Sequence, residues 1–183
     1  MSGVRSILVT GGNSGIGLAL CGQLAADHAC HVFMGTRSLE RGAAGIRSIM
    51  DDKGPDVAAR VELLNIDVSD DASVSAAAQT LRDKGVTLYA LVNNAGVGFN
   101  SGPGNVEALL NTNFYGPKRC SEAFLELIDP QVREFLPACS FYFLLIFVYL
   151  KFGGILPHKH TLTHANTQTL SHTQTHRLDV LST

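Results

Sequence analysis

Val9-Thr10-Gly11-Gly12-Asn13-Ser14-Gly15-Ile16-Gly17 joins a short apolar segment to a helical pattern through a turn with glycines at 11, 15 and 17. Ser6-Ile7-Leu8-Val9 just before it is apolar and partly β-branched, as a buried parallel strand requires. Gly11, Gly15 and Gly17 leave the backbone free to turn tightly and to approach a pyrophosphate closely. Beyond the turn, Ile16, Leu20 and Leu24 recur at i, i+4 and i+8, and this stripe is expected to lie on a sheet while the N-terminal N–H groups of the helix face the ligand. Flexible loops also collect glycine, but they do not place it between a strand and a helix. The stretch therefore reads as a phosphate-binding turn.

Downstream, strand and helix patterns alternate. His31–Thr36 reads as a second strand, and Ser38 is placed to cap a helix running toward Asp51, ended by Asp52-Lys53-Gly54-Pro55. Arg60–Asp67 reads as a third strand. Ser69, Asp70 and Asp71 give the next helix a capped, acidic start, and Val74, Ala77, Ala78 and Leu81 form its apolar face. Thr87–Val92 reads as a fourth strand closed by Asn93-Asn94-Ala95-Gly96. A polar loop follows, and the pattern from Val106 to Ile128 is helical apart from a bend or restart at Gly116-Pro117. Such alternation calls for an α/β fold of doubly wound, Rossmann-type parallel sheet, here truncated after about the fourth or fifth strand.

After Gln131 the composition changes. Three regions are expected: a dinucleotide-binding domain over 1–131, a divergent apolar segment over 132–157, and a low-complexity tail over 158–183. The run Phe141–Leu150 is read as a buried strand on its aromatic and β-branched content, with a core helix or a membrane contact through 135–150 as alternatives. The tail of His, Thr, Ser and Gln has too few apolar residues to offset the entropy of ordering, and disorder is expected there. Its histidine pairs at i, i+4 are those a His-rich repeat produces by chance, and no metal site is expected.

The 183 residues are one domain's worth of chain. A net charge of −2 with 16% charged residues gives no electrostatic case for nucleic acid. Cys21, Cys30, Cys120 and Cys139 are scattered without metal-ligand spacing and read as reduced thiols of a cytoplasmic protein. The N-terminus has no basic region followed by a long apolar run, so no secretory signal is expected.

From Ser6 to about Gln131 the sequence resembles the short-chain dehydrogenase/reductase family, and within it the carbonyl-reductase-like members. Thr10–Gly17 is similar to the family's cofactor turn, Asn93-Asn94-Ala95-Gly96 to its fourth-strand signature, and Asn113-Phe114-Tyr115-Gly116 to its helix motif. The resemblance implies that Gly11, Gly15 and Gly17 form the pyrophosphate turn and that Asn13, Ser14 and Ile16 within it also bind the cofactor. It implies that Asp67 and Val68 lie near the adenine, and that Asn94, Ala95 and Gly96 lie beside a ribose. Asn113 matches the helical Asn whose backbone helps hold a water of the proton relay.

The residue after the second strand sets cofactor choice, since a carboxylate there would bind a ribose 2′-OH and a cation would take a 2′-phosphate. The chain offers Thr36-Arg37-Ser38, so NADP is expected in preference to NAD. The family's chemistry needs a Tyr with Lys four residues on, assisted by a Ser. Here Tyr89, Tyr115, Tyr142 and Tyr149 are followed at that distance by Asn93, Arg119, Ile146 and Gly153. Ser140 falls by count near the family's Ser but precedes the apolar run. The expectation is an NADP-dependent oxidoreductase lineage acting on a small carbonyl substrate if active, and inactive as this chain. A non-catalytic dinucleotide-binding protein and a membrane-tethered interaction protein are the alternatives.

Overall fold

A computed structural model describes residues 3–98 and 106–133. Four strands, β1 (Ser6–Thr10), β2 (His31–Thr36), β3 (Val61–Asn65) and β4 (Leu88–Val92), form a parallel sheet in the order β3-β2-β1-β4. Ile7 lies opposite Val32 and Ala90, and Leu8 opposite Phe33 and Leu91, so apolar side chains meet across both neighbours of the central strand. Around the sheet run α1 (Gly15–Asp27), α2 (Leu39–Lys53), α3 (Pro55–Ala58), α4 (Asp71–Asp83), α5 (Val106–Leu110), α6 (Gly116–Phe124) and α7 (Pro130–Arg133).

Alternation along β1 divides the core between two faces. Ile7 and Val9 pack with Cys21, Leu24 and Ala25 of α1 and Ile49 of α2, whereas Leu8 packs with Val74, Ala78 and Leu81 of α4 and Cys120 and Phe124 of α6. Both faces of the sheet are thus covered, which is the doubly wound arrangement the alternation of elements demands.

Several local expectations are refined. The buried stripe of α1 is Gly17, Cys21, Leu24 and Ala25, while Ile16 is 66% exposed and Leu20 is only partly buried. The stripe is rotated because Gly17, having no side chain, is what lets the start of α1 lie against the Gly11 turn. Pro55, expected to end α2, instead opens the single turn of α3. β3 stops at Asn65, so Asp67 and Val68 belong to the turn beyond it. Asp70, not Ser69, caps α4, its carboxylate accepting the N–H groups of Ala72 (3.2 Å) and Ser73 (3.1 Å).

The long helical pattern is broken more than once. α5 passes into a π-helical segment at Asn111–Tyr115, α6 begins at Gly116 with Pro117 in its first turn, and a 3-10 turn covers Leu125–Leu127. Ile128 then makes an isolated parallel bridge to Leu88, with the Asp129 N–H donating to the Leu88 carbonyl at 2.8 Å. Among the described residues this is all that pairs with the outer edge of β4. Ser140, the apolar run over 135–150 and the tail over 158–183 lie outside the described residues. Within them no helix is long and apolar enough to cross a membrane.

Candidate functional site

The order β3-β2-β1-β4 reverses direction between β1 and β4, and the loops leaving the C-terminal ends of those strands diverge there to open a cleft. Of the residues singled out in the sequence, Gly11, Asn13, Ser14, Ile16, Gly17, Arg37, Asp67, Val68, Asn94, Ala95, Gly96 and Asn113 all line one cavity of about 900 Å³. Gly15 sits within the same turn. Its φ is +54°, and a Cβ there would meet nothing within 4 Å. Residues from four separate loops are therefore brought to one place.

The floor of the cleft is where backbone approaches backbone. Gly11 has φ +65°, and a Cβ on it would lie 2.8 Å from the Cα of Ala95. A Cβ on Gly17 would lie well inside contact distance of the Asn94 amide and the Gly11 carbonyl oxygen. The glycines thus serve two ends: Gly11 and Gly17 close the turn against β4, and Gly15 keeps its outer face open to a ligand. The Gly12 N–H donates to the Gly35 carbonyl at 3.0 Å and ties the turn to β2. Ser14, in extended conformation at the N-cap of α1, makes no side-chain capping bond. The first N–H groups of a 13-residue helix and the Ser14 hydroxyl accordingly face the cleft, a set of donors suited to a pyrophosphate.

Thr10 and Asn94 bind the two central strands together at this end. The buried Thr10 hydroxyl donates to the Val92 carbonyl (3.3 Å) and accepts the N–H groups of Asn94 (3.0 Å) and Ala95 (3.1 Å). The Asn94 side-chain amide donates to the carbonyls of Thr10 (2.9 Å) and Gly11 (3.2 Å). Asn93 turns the other way, its amide donating to the Ser121 hydroxyl at 3.2 Å. Asn113 faces the loop after β4, where its Oδ1 accepts the Val97 N–H (2.8 Å) and its Nδ2 donates to the Val97 carbonyl (2.9 Å). Both polar atoms of the side chain are spent on that loop, so Asn113 fixes the cleft wall from Ala95 to Gly98.

At the far end of the cleft, Arg37 follows β2 and Arg41 lies in the first turn of α2. Both line the cavity and both are exposed. Arg41 escaped the sequence reading, although its signal was present: it lies four residues after Arg37, in the first turn set by the Ser38 cap, whose hydroxyl accepts the Arg41 N–H at 3.3 Å. Asp67 is held across from them. Its Oδ1 accepts the N–H (2.9 Å) and the hydroxyl (2.6 Å) of Ser69. Burial by itself would raise the Asp67 carboxyl, but the two Ser69 bonds and the charges of Arg37 and Arg119 outweigh it and hold the group below its ordinary value. The carboxylate is thus a fixed anion beside two guanidinium groups.

Tyr115 and Arg119, the nearest approach to a Tyr–Lys pair, do not form a catalytic unit. The Arg119 guanidinium is spent on the Val68 carbonyl, the Asp71 carboxylate and the Asn111 side chain. Cys21 and Cys120 are fully buried and their thiols are pushed up to about 12 by burial, which leaves them inert at neutral pH.

Comparison with known proteins agrees with this geometry. Human carbonyl reductase (NADPH) 1 (Homo sapiens) is 35% identical over 137 residues, covering 72% of this chain and 48% of that protein. Among solved structures, menthone neomenthol reductase from Mentha piperita matches with a TM-score of 0.61 and 28% identity, over 69% of this chain and 56% of that one. NADPH-bound carbonyl reductase from chicken fatty liver matches with a TM-score of 0.54 and 30% identity, over 68% of this chain and 51% of that one. The chain spans about half the length of the curated relatives it matches. The sequence model of the short chain dehydrogenases matches residues 5–133, and the chain belongs to that family.

Proposed function

We propose that the cleft binds NADP(H) and that the chain derives from carbonyl-reductase-type oxidoreductases, with residues 1–131 forming the dinucleotide-binding domain. One observation carries the cofactor choice: Arg37 and Arg41 line the same end of the cleft, at the end of β2, where two guanidinium groups can fork onto a 2′-phosphate. The names of the relatives point the same way, since carbonyl reductase (NADPH) 1 and the NADPH-bound chicken enzyme are among them.

The residues present suit such a group at its adenine, its pyrophosphate and a ribose, and not at its nicotinamide end. The Gly11–Gly17 turn and the start of α1 meet the pyrophosphate, Asp67 and Val68 border the adenine, and Asn94–Gly96 border a ribose. Bound there, NADPH would supply a hydride to a carbonyl carbon. The chain's own part would be to orient the dinucleotide, with Asn113 holding the Ala95–Gly98 wall against it. A general acid to protonate the carbonyl oxygen is what the sequence lacks, because none of its four Tyr residues has Lys four positions on. We therefore propose binding without family-like turnover, a positioned general acid being worth about 10²–10⁴ in rate.

Fluorescence titration of the purified chain with NADPH and NADH tests the first part. Tighter binding of NADPH is expected, and tighter binding of NADH would overturn it. NADPH consumption with a panel of reactive aldehydes and ketones tests the second, and robust consumption would show that another residue donates the proton.

A further inference from the structure

We infer that Arg119 is a positioning residue for the adenosine end of the cleft, acting through Val68 and Asn111 on two walls it does not itself line. The inference rests on the reading that the cleft takes NADP(H). Arg119 lies on α6 with its side chain only 18% exposed. Its Nη1 donates to the Val68 carbonyl at 2.5 Å, its Nη2 to Asn111 Oδ1 at 3.1 Å, and its Nε to the Asp71 carboxylate. The Asn111 amide returns a bond to the Ser69 carbonyl at 3.0 Å. Gly116 closes the same junction by packing, since a Cβ there would lie 3.0 Å from Val68 Cγ2 and 3.2 Å from the Val68 oxygen.

These contacts join segments far apart in sequence. One is the turn after β3, whose Asp67 and Val68 line the cleft. The other is the π-helical segment, whose Thr112 and Asn113 line it from another side. The fork is specific to arginine. Three acceptors, a carbonyl, a carboxylate and an amide oxygen, are engaged by three different nitrogens of one rigid plane, which a single ammonium cannot reproduce. The Asp71 carboxylate in the first turn of α4 also offsets the cost of a cation beside a helix N-terminus. Without the fork, the Val68 carbonyl and the Asn111 amide oxygen lose their donor together, and the turn bordering the adenine is freed from the helix that carries Asn113.

Calorimetric titration of the full 183-residue chain with 2′,5′-ADP and with inorganic pyrophosphate tests this. The two probes separate the adenosine end from the Gly11–Gly17 turn. Wild type, Arg119→Met, Arg119→Lys and a control from the core on the other face of the sheet, Val61→Ala, are compared at a temperature where circular dichroism shows each folded. Both Arg119 variants are expected to bind 2′,5′-ADP about tenfold more weakly, as loss of a charge-assisted bond implies, with pyrophosphate affinity changed less than about twofold. Val61→Ala should leave both affinities within about twofold, so that general destabilisation alone does not reproduce the selective loss. Unchanged 2′,5′-ADP affinity in Arg119→Met, equal losses for both probes, or full recovery in Arg119→Lys would each overturn the inference. Should Arg119→Met fail to fold, Asn111→Ala, which removes the Asn111 arm of the fork and leaves the Arg119–Val68 bond, must show a loss selective for 2′,5′-ADP. A wild-type chain that binds pyrophosphate but not 2′,5′-ADP would overturn the cofactor assignment itself, a result distinct from binding that Arg119 does not affect.

Discussion

Replacing Gly17 by Ala tests how closely the phosphate turn is built against β4. The new methyl group would lie inside contact distance of the Gly11 carbonyl oxygen and the Asn94 amide, and 3.1 Å from the Gly11 carbonyl carbon. Asn94 cannot simply swing away, because its amide is tied to the Thr10 and Gly11 carbonyls at 2.9 and 3.2 Å. Losing both bonds costs about 2 kcal/mol, and displacing the turn adds strain of about 1–3 kcal/mol. Against this stands a gain of about 1 kcal/mol for Ala over Gly inside a helix. The net expectation is destabilisation by about 2–4 kcal/mol, or about 4–15 °C in Tm for a chain of this size. Urea unfolding followed by circular dichroism at 25 °C measures the first quantity. NADPH fluorescence titration should show a parallel loss of at least about tenfold as the turn moves off the pyrophosphate. Asn94→Ala gives a second reading. Because either substitution already removes the Asn94 bonds, the double variant should cost about 1–2 kcal/mol less than the sum of the singles. A Gly17→Ala chain as stable as wild type, or more stable through its helix propensity, would refute the close approach on which the whole cleft geometry depends.

Other predictions follow from single groups. Arg37→Ala should weaken NADPH binding by about 10–100-fold while leaving NADH within about twofold, since only the former carries the 2′-phosphate the guanidinium meets; equal losses for both would place Arg37 elsewhere. Asp67 has a carboxyl held below its ordinary 3.8, so its contribution to stability is present above that value and is lost as pH falls through the lower folded value. Acid titration of Asp67→Asn should therefore show a shallower loss of stability than wild type below pH 3.8. Cys21 and Cys120 carry thiols pushed from 9.0 to about 12, so stability complete below pH 9.0 is lost as pH rises toward 12, and Cys21→Ala should soften that alkaline limb. In a Cys139→Ser background, no thiol of the native chain should react rapidly with a disulfide reagent at neutral pH, and a fast-reacting thiol would contradict the burial of Cys21, Cys30 and Cys120.

The fold was legible because its signals are local and mutually consistent. Val74, Ala77, Ala78 and Leu81 sit in sequence at the spacing of a buried helix face and are buried together on α4. What escaped the sequence depends on partners distant along the chain. The stripe Ile16, Leu20 and Leu24 has helical spacing, yet Gly17 turns out to be the residue facing the sheet, and nothing local announces that Asn94 and the Gly11 carbonyl press against it. Likewise the pattern over 106–128 is uniformly helical in residue type. Its π-helical segment coincides with Asn111 and Asn113, whose side chains bond to Ser69 and Val97. In the site, the glycine turn and Arg37 could be read because each carries its chemistry in its own residue type. The fork of Arg119 onto Val68 and Asn111 could not, since an arginine on a helix is ordinarily a solvated one and its partners lie far along the chain.

The two ends of β4 explain why binding and chemistry can be considered apart in this chain. At its C-terminal end, Asn93 to Gly98 are engaged by Thr10, Ser121 and Asn113, so the wall facing the cleft is fixed by residues within the described part. At its N-terminal end, the Ile128 bridge to Leu88 caps the strand on the side away from the cleft. Between these points the outer edge of β4 meets no strand among the described residues. Just past the strand, the Asn93 side-chain oxygen is buried with no donor among the described residues, which costs about 1–3 kcal/mol for an unpaired acceptor. The turn, the two arginines of α2 and its approach, and the Asp67–Val68 border all lie on the β1, β2 and β3 side of the switch point. Every contact proposed for the adenosine and pyrophosphate is therefore made without anything that pairs with the outer edge of β4.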